Sequence, residues 1–221
     1  MKQLLYRYRH VWVLLYFPVY MAWFLFLERT VTPDSEYHLM HCALDDKIPF
    51  CEFFVIPYLL WFAYILVVGL YLFFTTSRDF YRFCIFLFGG MSLSLLVCTL
   101  WPNGQALRPE LAKLGRDNIL IRLVGYLYET DTPTNVFPSI HVLNSIGACI
   151  AVFRNNALKQ KRPLCVATAL LTVFICCSTV LLKQHSVLDV LGGSVLALLM
   201  YWVAYLPKLE RIPEHIPQAE P

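Results

Sequence analysis

The sequence predicts an all-α polytopic membrane protein, a bundle of six transmembrane helices forming one domain over residues 1–221. Three observations carry this expectation. Of the 221 residues, 58% are hydrophobic and 15% charged, with mean hydropathy +0.58, whereas a water-soluble domain carries roughly 25% charged residues. Apolar stretches close to the roughly 20 residues that a helix needs to cross a bilayer recur six times. Taking those stretches as crossings sorts the basic residues by side. A disordered chain is excluded by the same composition. The net charge of +3 and the short, isolated tract Lys159–Arg162 exclude a nucleic-acid surface.

The spans are expected at about 11–27, 53–74, 83–100, 136–153, 164–182 and 187–206. The first contains Pro18, which membrane helices tolerate where neighbours satisfy the freed carbonyl. It is long, rich in bulky aromatics and ends in Leu-Glu-Arg-Thr, so it reads as a span and not as a cleaved signal. The second, third and fifth carry no charge, and the sixth carries only Asp189. The fourth, with His141, Asn144 and Ser145, is the least apolar, yet it must cross to preserve the orientation. With the N-terminus cytoplasmic, inside segments hold 11 basic and 4 acidic residues, and the outside, counting Asp189 at the outer end of the sixth span, holds 7 and 11. The expectation is a multi-pass cell-membrane protein with both termini cytoplasmic. Three segments face outside: Glu28–Glu52, Trp101–Asn135 and the turn at Lys183–Ser186. Gly193 and Ala197 form a small-x3-small pair that lets helices approach closely.

Six of the eight cysteines fall in spans, where they act as small hydrophobes. Cys42 and Cys51 lie in the first outer loop, free or, in an oxidising compartment, paired. His38, His41 and Cys42 match no closed zinc pattern, so neither a metal site nor a cofactor is expected. Asp45 and Asp46 read as solvated loop residues.

Chemistry concentrates at the outer ends of the spans. An ionisable residue inside a span marks function by default. Asp189 lies one turn into the sixth span, and His185 is its i−4 neighbour, so both side chains share one helix face. A carboxylate there fixes the imidazole's tautomer and raises its basicity, as an activated nucleophile or base requires. His141 opens the fourth span in Phe-Pro-Ser-Ile-His, with Ser139 where free helix N–H groups collect and favour an anion. Arg108 precedes Pro109 in the second outer segment, and its guanidinium suits a two-pronged grip on phosphate.

These residues resemble the type-2 phosphatidic acid phosphatase superfamily, the lipid phosphate phosphatases, whose integral members have six spans. The family pattern runs K-x6-R-P, P-S-x-H and S-R-x5-H-x3-D. Arg108-Pro109 matches the end of the first block, and Pro138-Ser139-Ile140-His141 matches the second. Ser178, His185 and Asp189 match the third at the right spacing. Trp101 stands in place of the lysine and Thr179 in place of the arginine, with Lys183 the local replacement cation. The segment His-Ser-Val-Leu-Asp-Val is also similar to one in sphingomyelin and inositol phosphorylceramide synthases.

The resemblance implies a metal-independent hydrolase acting on a membrane lipid at the outer face. His185 would form a phosphohistidine, Asp189 would orient it and His141 would serve as acid and then base. Arg108, Ser139 and Lys183 would bind phosphate. Phosphatidic acid, phosphatidylglycerophosphate and undecaprenyl pyrophosphate all fit as substrates. The alternative is a phosphodiester headgroup transferase or phospholipase C-like enzyme of the sphingolipid-synthase type, since two fewer cations suit a diester's single charge.

Overall fold

A computed structural model describes residues 8–206. The basic residues Lys2, Arg7, Lys208 and Arg211, used above to orient the chain, lie outside the described residues. So does the proline-rich tail. The elements, in order, are α1 (Tyr16–Thr30), β1 (His38–Leu39), α2 (Val55–Thr75), α3 (Ser77–Leu100), β2 (Asn103–Gly104), α4 (Ile119–Thr130), α5 (Ile140–Arg154), α6 (Arg162–Leu181) and α7 (Val187–Tyr205). Short 3-10 turns lead into α1 and α2.

Five segments are long and apolar enough to cross a membrane: Arg9–Thr30, Glu52–Thr75, Ser77–Leu100, Arg162–Leu181 and Val187–Tyr205. The span expected at 136–153 is shorter than the sequence suggested. Its helix, α5, begins only at Ile140, with Ser139 as an extended N-cap. Its 15 residues reach roughly 22 Å, less than a hydrocarbon core of about 30 Å. Among the described residues there are thus five helices of spanning length and one shorter apolar helix.

That helix is nevertheless central. α5 packs against α2, α3, α6 and α7 at once. Nine of its residues, among them His141, Asn144, Ser145, Gly147 and Ala148, are buried. Protein, not lipid, surrounds it, which is why it accommodates polar groups that a lipid-facing helix would exclude. The outer helices show the reverse pattern. Leu60, Phe62, Leu66 and Val67 on α2, Val166 and Val173 on α6, and Val195 and Trp202 on α7 are exposed, as residues facing acyl chains should be.

The outer segments are laced together. β1 pairs in parallel with β2, His38 opposite Asn103, and Gly104 bridges to Thr134. Asn103 is fully buried; its Nδ2 donates to the Trp101 carbonyl at 2.9 Å and its Oδ1 accepts from Phe137 N at 2.8 Å. The second outer segment is not merely a loop, since it contains the amphipathic α4. Asn118 caps α4 by accepting from the N–H groups of Leu120 and Ile121. All eight cysteines are free thiols, Cys42 and Cys51 included.

Candidate active site

Two helix starts, those of α5 and α7, meet at one end of the bundle. A Cβ at Gly193 would stand 2.6 Å from the Ser139 carbonyl oxygen, so glycine is what lets α7 come this close. Ser139 N–H then donates to the Asp189 carbonyl at 3.1 Å. From α3, Ser94 Oγ donates to the Pro138 carbonyl at 2.9 Å and holds the turn before α5 in place.

His185 is delivered by the turn that ends α6. The N–H groups of Gln184 and His185 both bond the Thr179 carbonyl, at 2.9 and 3.0 Å, and Lys183 takes a left-handed φ of 54°. His185 Nδ1 lies 3.2 Å from Asp189 Oδ2. The same oxygen accepts the Ser186 N–H at 2.9 Å, as half of a capping box. One carboxylate therefore orients the ring and caps α7. Donating the Nδ1–H in a hydrogen bond to Asp189 fixes the tautomer that keeps a lone pair on Nε2, which is what a nucleophile needs.

His141 is the second residue of α5. Its Nε2 lies 2.9 Å from the Tyr58 hydroxyl, and that hydroxyl donates to Asp131 Oδ2 at 3.3 Å. The rings of His141 and His185 are 5.9 Å apart, centroid to centroid, and Trp61 stands edge-on to His141 at 4.4 Å. The structure thus brings together the two histidines and the aspartate that the sequence singled out.

Arg108 joins them through Gln184. Its guanidinium donates to the carbonyls of Tyr128 and Thr132 at 3.0 and 3.2 Å and to Gln184 Oε1, and it lies over the Tyr128 ring. Burial pulls its pKa below the ordinary arginine value, against the charge of Asp131. The buried atoms without a hydrogen-bond partner among the described residues include Arg108 Nε, Gln184 Nε2, Ser139 Oγ, His141 Nδ1 and Asp189 Oδ1. Folded proteins leave few such groups unpaired; the first four can offer hydrogen bonds to a phosphate, and the Asp189 oxygen can only accept.

Lys183 goes elsewhere. Its ammonium donates to the carbonyls of Asp45 and Ile48 at 2.7 and 2.6 Å, tying the first outer loop to the α6–α7 turn. Asp45 is not the solvated loop residue the sequence suggested; it is 2% exposed. Its carboxylate accepts from Ser186 Oγ at 2.6 Å, Val187 N at 2.8 Å and Cys42 N at 2.8 Å. Burial alone would raise its pKa, but these bonds outweigh it and hold the carboxyl below the usual range. Asp46 is exposed as expected and pairs with His41, at 2.8 Å.

At the positions that depart from the family pattern, Trp101 stacks on His38 and Thr179 Oγ1 donates to the Cys176 carbonyl. Ser178 Oγ also turns back into its helix, to Ile175. Sequence reasoning missed Gln184, Tyr58 and Asp131. Adjacency to His185 was the only signal for Gln184. Tyr58 lay hidden among 13 tyrosines and Asp131 among 11 outer acids. Among the described residues, no three His, Cys, Asp or Glu side chains group as metal ligands.

The family pattern of the PAP2 superfamily matches residues 100–212, more than half of the chain. Arg108, Ser139, His141, Lys183, His185 and Asp189 all fall inside the match, and Tyr58 falls outside it. No curated protein and no solved structure matches the chain at a significant level.

Proposed function

Because the chain belongs to the PAP2 superfamily, we propose that this multi-pass protein is a metal-independent lipid phosphate phosphatase that works through a phosphohistidine at the outer membrane face. The observation that carries this reading is the facing pair of histidine rings, 5.9 Å apart, beside buried donors without partners. His185 Nε2 attacks phosphorus and forms the P–N bond while Asp189 holds Nδ1. The bond from phosphorus to the lipid oxygen breaks, and His141 Nδ1 supplies the proton that oxygen takes. Water then attacks the phosphohistidine, with His141 Nδ1 accepting its proton. Arg108, Ser139 and Gln184 stabilise charge on the equatorial oxygens, the main protein contribution to phosphoryl transfer.

One observation favours a second reading, hydrolysis or transfer of a phosphodiester headgroup. Lys183 is committed to loop carbonyls, and neither Trp101 nor Thr179 brings charge, so the cation joined to the histidine pair is Arg108. A monoester carries nearly two negative charges and a diester one, which such a donor set suits. Incubating the purified protein with radiolabelled phosphatidic acid and with a diester phospholipid, and measuring phosphate and headgroup products together, separates the two readings. Phosphate release that falls by more than about 10³-fold in His185→Ala is the expected result. Retention of a tenth of the activity by that variant would overturn a His185 nucleophile. For orientation, a probe applied from outside should label Lys113→Cys and not Gln160→Cys; the opposite pattern would reverse the topology.

A further inference from the structure

Tyr58 and Asp131 stand behind His141 with no role in the scheme above. They come from separate elements: Tyr58 from the first turn of α2, Asp131 from the C-cap of α4 and His141 from the first turn of α5. Tyr58 and His141 are 83 positions apart in the chain, and Tyr58 and Asp131 are 73 apart. One partner would satisfy a buried phenol, but this one connects two titratable groups, His141 and Asp131. His141 meets Tyr58 through Nε2, which leaves Nδ1 as its unpaired atom among the described residues.

We propose that Tyr58 and Asp131 are positioning residues that form a proton relay to His141, with Asp131 storing the proton that His141 delivers to the departing lipid oxygen. The proposal rests on the phosphoesterase reading and extends it. The chain has two hydrogen-bonded arrangements that differ by one proton. In the loaded one, the Asp131 carboxyl donates to the Tyr58 oxygen, the Tyr58 hydroxyl donates to His141 Nε2, and Nδ1 carries a hydrogen. When the bond from phosphorus to the lipid oxygen breaks, that oxygen takes the Nδ1 hydrogen. His141 Nε2 takes the phenolic hydrogen and Tyr58 takes the carboxylic one. Asp131 is left as a carboxylate that accepts from Tyr58, and Nδ1 is left with a lone pair. Water attacking the phosphohistidine returns its proton to Nδ1, and every bond in the chain reverses. His141 is thus neutral before and after each step, in a site where an isolated buried cation would be costly.

The surroundings of the store suit the task. Burial raises the Asp131 carboxyl above its ordinary value, so it can hold a proton, while the charges of His185 and Arg108 and the bond from Tyr58 oppose that rise. Around His141 the neighbouring ring-bearing and ionisable groups are Tyr58, Trp61 and His185.

The test exploits leaving-group chemistry. An alkyl alkoxide needs a proton as it departs, whereas p-nitrophenolate does not. Single-turnover release is measured for wild type, Tyr58→Phe, Asp131→Asn and the double variant in detergent. The substrates are a phosphatidic acid and a p-nitrophenyl phosphate ester. Each single variant should slow alkoxide release by about 10²-fold, the low end of acid catalysis, while slowing nitrophenolate release less than about threefold. The double variant should match the singles, because the two residues act through one path. The retained nitrophenolate step also shows that the variants are folded. Equal slowing on both substrates, or no slowing on either, would overturn the relay. Wild-type protein that cleaves neither substrate would overturn the phosphoesterase reading, and the relay with it.

Discussion

The starts of α5 and α7 lie side by side, and each carries a histidine, yet they are finished in opposite ways. At α7 the helix start is capped from within the protein, although Asp189 Oδ1 is buried without a partner among the described residues. Ser186 and Asp189 close a capping box, and Asp45, brought from the first outer loop, takes the Val187 N–H and the Ser186 hydroxyl. At α5 the N-cap Ser139 makes no side-chain cap bond, and its hydroxyl is buried without a partner among the described residues. A helix start attracts anions through its free N–H groups and its dipole. At α7 a resident carboxylate answers that attraction; at α5 no side chain among the described residues caps the start. On the proposed reading, the difference assigns the two starts different tasks: the capped one would fix the nucleophile, and the open one would receive the phosphate it attacks.

Four outcomes would break or sharpen this contrast. The largest effect is expected at Asp189→Asn. An amide oxygen can still accept the Ser186 N–H, so the melting temperature should change little, but the wrong partner at His185 Nδ1 should lower kcat by about 10³- to 10⁴-fold. A variant with near-normal kcat would show that Asp189 serves only as a cap. Ser139→Ala comes next. Its hydroxyl bonds nothing in the protein, so stability should hold while kcat falls by about 10²-fold, the usual loss for one donor to a transition-state anion. Lost stability with unchanged kcat would erase the distinction between the two starts.

Asp45→Ala should do the opposite of Ser139→Ala. It leaves buried donors at α7 unpaired and should destabilise the fold by about 2 kcal/mol, read by thermal unfolding in detergent. The smallest effect is in pH. The Asp45 carboxyl sits below its unfolded value, so its contribution is complete above the ordinary carboxylate range and disappears as pH falls through the lowered value. Wild-type melting temperature should therefore decline in acid, and Asp45→Asn should flatten part of that decline. An identical acid profile in the two proteins would dismiss Asp45 as the closing anion.

The sequence made one of these starts far more legible than the other. His185 and Asp189 are four apart, the spacing from which their contact was expected, although His185 sits in the turn before the Ser186 N-cap and not on α7 itself; the bundle could be read from apolar length. Asp45 could not be assigned, because nothing local distinguishes it from Asp46. The two acids are adjacent, yet one is buried against α7 and the other is paired with His41 at the surface. Tyr58 and Asp131 were hidden for the same reason, since their meaning lies in contacts spanning more than 70 residues. The length of α5 was misjudged because apolar composition continues through Val136 and Phe137, while the backbone turns helical only at Ile140. Lys183 was assigned to phosphate from its position beside His185, and its partners turned out to be carbonyls far back in the chain.

That reach across the chain has a consequence for how the molecule comes into being. Asp45 and Ser186 are 141 residues apart, and a ribosome adds roughly 5–20 residues per second, so the carboxylate is made on the order of 10 s before the helix it closes. During that interval the first outer loop has neither the Ser186 hydroxyl nor the Lys183 ammonium to dock against. His185, Asp189 and the Lys183 anchor for that loop are made together, well after Asp45. On the proposed reading, a nascent chain that has not reached them has no nucleophile to bring against the lipids around it.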